Sequence, residues 1–168
     1  DRAGWMEELK SVDNLNVLQD RGGQGRHLYN ELIDGVNAAR QALEQRDDVK
    51  SVIISGFVWV QNENDGKRED SARNYKRNLT NLINNVRADL DAPEMPVLYM
   101  DVHQPEPAEF RQLLSRMMHE VAAEVPYTAV VSPEGLSKYE GVHFDTEGMK
   151  GLGRRFAEAH LKMVQSSD

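Results

Sequence analysis

A chain of 168 residues is long enough to bury the core of one domain, and 39% hydrophobic with 29% charged residues is an ordinary globular composition. Its 28 Asp and Glu against 20 Lys and Arg leave a formal charge of -8, which opposes phosphate backbones and anionic bilayers and so argues against nucleic acid or a membrane as partner. With no cysteine, disulfides, thiolate nucleophiles and cysteine-ligated zinc are excluded, and no apolar run is long enough to span a bilayer.

Residues 1–25 are polar and end in Arg21-Gly-Gly-Gln-Gly25, which reads as a loop-rich lead-in with a short helix around Trp5 to Leu9. Leu28, Leu32, Val36, Ala39 and Leu43 then recur at helical spacing, predicting an amphipathic helix over 27–46. Ser51 to Val60 is a nearly continuous apolar run rich in β-branched residues, the pattern of a strand buried on both faces. A polar loop from Gln61 to Gly66 follows. Tyr75, Leu79, Leu82, Ile83, Val86 and Leu90 then mark one face of a second helix. Pro96 to Val102 reads as a second strand. Pro105 and Pro107 precede a helix carrying Phe110, Leu113, Leu114, Met117 and Val121. Tyr127 to Val131 is the third strand, and a loop runs from Ser132 to Phe144. Asp145 is placed to cap a last helix with Met149, Leu152 and Phe156 inward.

The order α-β-α-β-α-β-loop-α predicts a single α/β domain over 1–168, with a core over 26–164 and a mostly parallel sheet. Three strands are few for such a sheet. The chain opens Asp1-Arg-Ala-Gly4 without an initiating methionine, so the expectation is that further strands precede Asp1.

Ligands of open α/β sheets gather beyond the carboxyl ends of the strands. That edge should hold Gln61 to Gly66, His103 to Pro107, and Ser132 to Phe144. Gln61, Asn62, Glu63 and Asn64 directly follow a strand. Their amides suit either an oxyanion in acyl transfer or a plain turn. Glu140 lies three residues before His143, close enough to bend back onto Nδ1–H and leave Nε2 free as a general base. The alternative is a solvated loop histidine beside a helix cap. Asp101 and His103 share a strand face but are too few for a metal site, so no metal is assigned. His27, His119 and His160 lie on helical stretches and read as surface residues, and the methionines read as core. A Walker-type loop, a Gly-x-Gly-x-x-Gly turn and a Gly-x-Ser-x-Gly elbow are all absent, and none of the nine serines has the setting of a nucleophile.

Taken together, Phe57-Val-Trp-Val-Gln-Asn-Glu-Asn-Asp65 resembles the Trp-Tyr-Gln-Gly-Glu-Ser-Asp segment of the sialate O-acetylesterase and carbohydrate esterase 6 group of SGNH hydrolases. Glu140-Gly-Val-His-Phe144 resembles that group's Asp-Gly-Val-His-Phe segment. Gly151-Leu-Gly-Arg-Arg-Phe-Ala-Glu-Ala159 is similar to its terminal helix, and Leu28-Tyr-Asn-Glu-Leu-Ile33 to its helix before the Gln-Gly-Glu strand. The likeness keeps order and spacing over residues 27 to 161.

The resemblance implies a flavodoxin-like three-layer α/β/α sandwich and cofactor-free hydrolysis of acetyl esters on carbohydrates. It implies His143 as base, oriented by Glu140 in place of the group's aspartate. It places Gln61 and Glu63 along the oxyanion site, Asn62 where the group has glycine, and Asn64 as a rival oxyanion donor. The group's serine lies on a Gly-x-Ser segment near the N-terminus, upstream of anything in this sequence. The competing expectations are a non-catalytic descendant that binds carbohydrate or protein, and a metal-dependent hydrolase using Asp101 and His103. Export is frequent in the group, which points to a periplasmic or extracellular location. The sequence names neither the sugar nor the oligomeric state.

Overall fold

The structure, a computed structural model, describes residues 28–62, 64–102, 110–141 and 143–165. Expectations that fall on residues 1–27, on Glu63 and on the 103–109 segment, His27 and His103 among them, lie outside the described residues. The chain divides into two compact units, residues 1–54 with 84–92 and residues 55–83 with 93–168.

In the first unit, α1 (Leu28–Glu44) forms where helical spacing predicts it. Its buried stripe differs from the expected one. Ile33 is buried, whereas Leu28 and Leu43 are exposed. Polar contacts set the rotation. The Tyr29 hydroxyl donates to Asp89 Oδ2 at 2.7 Å, and Arg40 Nη1 to the Leu90 carbonyl at 3.4 Å. Tyr29, Ile33 and Arg40 therefore share the inner face, spaced four and seven residues apart.

The partners of α1 lie at the C-terminal end of α2 (Glu69–Asp89). That end closes in a left-handed cap. Asp91 has φ 53°, the Ala92 N–H donates to the Arg87 carbonyl at 2.8 Å, and the Asp91 N–H to the Ala88 carbonyl at 3.3 Å. This is the Schellman arrangement, with aspartate where glycine is the least strained residue.

In the second unit, β1 (Phe57–Trp59), β2 (Val97–Met100) and β3 (Thr128–Val131) form a parallel sheet in the order β1-β2-β3. Trp59 is in register with Tyr99, and Tyr99 with Val130. All four β2 side chains are buried, because ladders flank it on both edges and helices cover it on both faces. Alternation sends Tyr99 towards α3 (Arg111–Glu124), where its hydroxyl donates to the Met118 carbonyl at 3.0 Å. Burial pushes that phenol up to about 12, so it stays a neutral donor. Leu98 and Met100 point the other way. With Val131 they pack on Leu152 and Phe156 of α4 (Thr146–Gln165). Lys76 of α2 joins Glu120 at 3.1 Å and Glu124 at 2.6 Å, setting α2 beside α3. The sheet is thus sandwiched between helix layers, as an α/β/α fold requires.

Two expectations need correction here. β1 spans three residues and pairs with β2 alone among the described strands, so Val58 is 48% exposed instead of buried on both faces. Met149 is 54% exposed, because the inner face of α4 runs Gly148, Leu152, Phe156 at steps of four, and Met149 lies about 100° around the helix from Gly148. Among the described residues no helix is long and apolar enough to cross a membrane.

Replacing Asp91 with glycine relieves its left-handed backbone. Urea unfolding of Asp91→Gly is expected to show a stability gain of about 1 kcal/mol. An unchanged or lower midpoint would mean that the cap carries no strain.

Candidate active site

Four hydrogen bonds gather the carboxyl ends of the strands and the loop after β1. Asn62, just beyond β1, is 1% exposed, and its Nδ2 donates to the Met100 carbonyl at the end of β2 at 2.7 Å. The next residue, Asp101, donates its N–H to the Val131 carbonyl at 3.0 Å. On the other side the Trp59 indole N–H meets the buried Tyr75 hydroxyl at 3.4 Å, and that hydroxyl donates to the Gln61 carbonyl at 3.2 Å. The loops after β1 and β3 therefore start one strand apart on either side of β2, about 10 Å from each other.

The first loop is short. The Asp65 N–H donates to the Asn62 carbonyl at 3.1 Å, and a single 3-10 turn, Asp65–Lys67, leads into α2. Gly66 is buried in this turn. A methyl group there would stand 2.9 Å from Arg111 Cγ, so the turn sits against the first residue of α3. Gln61 is exposed. Asn64 is exposed too, with its Oδ1 accepting from Lys67 Nζ at 2.9 Å. Glu63 lies outside the described residues.

The loop after β3 is folded back on itself. Lys138 and Phe144 form an antiparallel bridge, the Tyr139 N–H donates to the His143 carbonyl at 3.2 Å, and Lys138 Nζ to the Gly141 carbonyl at 3.0 Å. Inside this hairpin the Glu140 carboxylate meets Nδ1 of His143. Such contact fixes the tautomer that carries a proton on Nδ1 and leaves Nε2 able to accept one. The histidine side chain is 63% exposed.

Helix α4 anchors the hairpin. Asp145 Oδ1 accepts from the Ser137 hydroxyl at 2.6 Å and from the Gly148 N–H at 2.8 Å, capping the helix and tying it to the loop. The Ser137 hydroxyl, then the Gly148 N–H, hold the Asp145 carboxyl below its usual value of 3.8. At Gly148 the approach is close enough to require glycine. A Cβ on Gly148 would fall 2.0 Å from the Ser137 carbonyl oxygen, and one on Gly151 would fall 2.6 Å from Leu136 Cδ2.

A family model for the carbohydrate esterase, sialic acid-specific acetylesterase family matches residues 14–162. The chain belongs to this family. It is also 25% identical over 140 residues to an Arabidopsis thaliana protein named as a probable carbohydrate esterase, covering 82% of this chain and 49% of that protein. The crystal structure of the plant protein superposes with a TM-score of 0.69 at 24% identity, over 83% of this chain and 54% of that one. A carbohydrate acetylesterase of Xanthomonas citri superposes at 0.56 and 17% identity, over 68% and 27%. The two structures share the fold. The chain spans about half the length of the plant relative.

Of the residues singled out in this esterase family chain, Glu140 and His143 are in contact, while Gln61, Asn62 and Asn64 belong to the loop across β2. Asn62 turns its amide inward onto Met100, a tie between strands. Two features escaped the sequence reading. Asp101 meets Nε2 of His119 at 3.1 Å, a pairing between β2 and α3 that no local spacing signals. Tyr139 stacks on His143, and only its nearness in sequence hinted at that. His160 is half-buried beside Gly56 instead of lying on the surface. Among the described residues no group of three or more His, Asp or Glu is arranged to hold a metal.

Gly148→Ala should destabilise the fold by about 1–3 kcal/mol in denaturant titration, although alanine is the better helix former. Gly153→Ala, where nothing lies within 4 Å, should instead stabilise by up to about 1 kcal/mol. Equal effects at the two positions would disprove the close approach. Asp145 has a lowered folded pKa, so its contribution is present above 3.8 and is lost as pH falls through the folded value. The thermal advantage of wild type over Asp145→Asn is therefore expected to hold from neutral pH down to about pH 4 and to shrink below it.

Proposed function

We propose that this chain supplies the base and part of the oxyanion site of a carbohydrate O-acetylesterase, sialate or acetylxylan type, that works through a serine nucleophile. The Glu140 carboxylate on Nδ1 of His143 carries the reading, because it leaves Nε2 oriented to take a proton. Membership of the acetylesterase family supports an acetylated sugar as substrate.

In this reading the serine is supplied by a Gly-x-Ser segment of the kind the resemblance implies, and not by the loop after β3. Two serines on the loop after β3 are engaged elsewhere. Ser137 donates to Asp145, and the Ser132 hydroxyl accepts from the Glu134 N–H at 3.2 Å. In the proposed reaction the serine oxygen attacks the acetyl carbonyl carbon while its proton passes to His143 Nε2. Donors around Gln61 and Asn64 hold the resulting oxyanion. Collapse of the tetrahedral intermediate breaks the bond to the sugar oxygen, which takes the proton from Nε2. Water then repeats the sequence on the acetyl-serine, releasing acetate and restoring the serine.

Asn62 stands where the family motif has glycine, with its amide directed to Met100. In this position it holds the loop that presents Gln61 and does not itself reach the oxyanion.

In protein that carries the serine-bearing segment, His143→Ala is expected to lower acetate release from an acetylated sugar at least ~100-fold. Undiminished release would refute the assignment. The 168 residues alone should release no acetate and take no fluorophosphonate label. Labelling that disappears on mutating one of their own serines would place the nucleophile inside this chain.

A further inference from the structure

Tyr139 sits at the turn of the hairpin that carries His143. Its ring lies 5.7 Å from the imidazole, centroid to centroid, with only 10° between the planes. That is offset stacking, at a separation where aromatic pairs attract. The same residue donates its backbone N–H to the His143 carbonyl, so ring and main chain engage one partner. Tyr139 is 68% exposed, far more than a tyrosine kept for packing, and burial does not explain its place.

The histidine is thereby restrained in two independent directions. Glu140 meets Nδ1 and limits rotation of the ring. The Tyr139 ring stacks, offset, against one face and limits tilting of the imidazole. One hydrogen bond at Nδ1 leaves tilting about that contact free, and the side chain is 63% exposed. Misplacement of a base by a fraction of an ångström is costly, because proton transfer needs hydrogen-bond geometry.

We infer that Tyr139 is a positioning residue for His143, its ring stacked on the imidazole so that Nε2 holds one direction. The phenol hydroxyl has no part in this role, so phenylalanine should serve as well as tyrosine, and an aliphatic side chain should not. The inference rests on the reading of His143 as the base.

The test is a pair of variants, Tyr139→Phe and Tyr139→Leu, read first by NMR of the histidine ring protons in the 168-residue chain, with His143→Gln assigning the signals. The His143 ring protons should keep their upfield shift in Tyr139→Phe and lose it in Tyr139→Leu, while the His119 signals stay put. In protein that carries the serine-bearing segment, Tyr139→Leu should lower kcat about 10-fold with KM unchanged, and Tyr139→Phe should keep full activity. Unmoved His143 signals in the leucine variant would overturn the inference. So would a rise in KM at constant kcat, which would mark a sugar contact instead. The base reading fails separately, through undiminished activity of His143→Ala, an outcome that leaves the NMR result standing.

Discussion

The buried strand β2 is the constraint on which the rest depends. Its four residues are covered on both faces and laddered on both edges, so its register fixes β1 and β3 at once. Beyond its last residue the backbone continues to serve as a template. The Met100 carbonyl takes the Asn62 amide from one side, and the Asp101 N–H reaches the Val131 carbonyl on the other. A buried carbonyl left without a donor is costly, so the Asn62 contact stabilises this end of the sheet as well as shaping it. The loops after β1 and β3 therefore leave the sheet from fixed points.

The loop after β3 obtains its order differently. It is exposed and has little core of its own, so its shape comes from polar closure and from steric fit to α4. Asp145 serves the helix and the loop together, because its carboxylate accepts one hydrogen bond from each. Gly148 and Gly151 leave no side chain on the surface where the loop backbone and Leu136 rest. The hairpin from Lys138 to Phe144 then holds Glu140 and His143 in contact on a base that the helix supports. Glycine, usually a weak helix former, is favoured here because the alternative is a collision with main chain.

The pattern of residues made much of this legible. Helical periodicity placed α1 through α4, and the β-branched runs placed all three strands, since both signals follow from burial along one face or both. The Glu140–His143 contact was legible for another reason: three residues in a tight loop are enough to bring a carboxylate back to a ring nitrogen. The roles proposed for them come from the resemblance of the segment around His143 to the esterase motif and not from that spacing. The buried stripe of α1 was misread because Tyr29 and Arg40, polar at their tips, turn inward to partners more than 45 residues away. The Asp101–His119 pair was invisible for the same cause.

The sequence by itself determined the alternation of helix and strand, and with it a parallel α/β sheet and the edge at which loops collect. These follow from local periodicity and from the short connections that chain covalency imposes. It also allowed the Glu140 and His143 pairing, whose partners are neighbours along the chain, against a solvated loop histidine. Only the tertiary structure decided that β1 is exposed on one flank, that Asn62 faces inward, and that Gly148 must be glycine. Each of those depends on atoms from elements distant in sequence meeting at a definite separation, and periodicity carries no information about distance between elements.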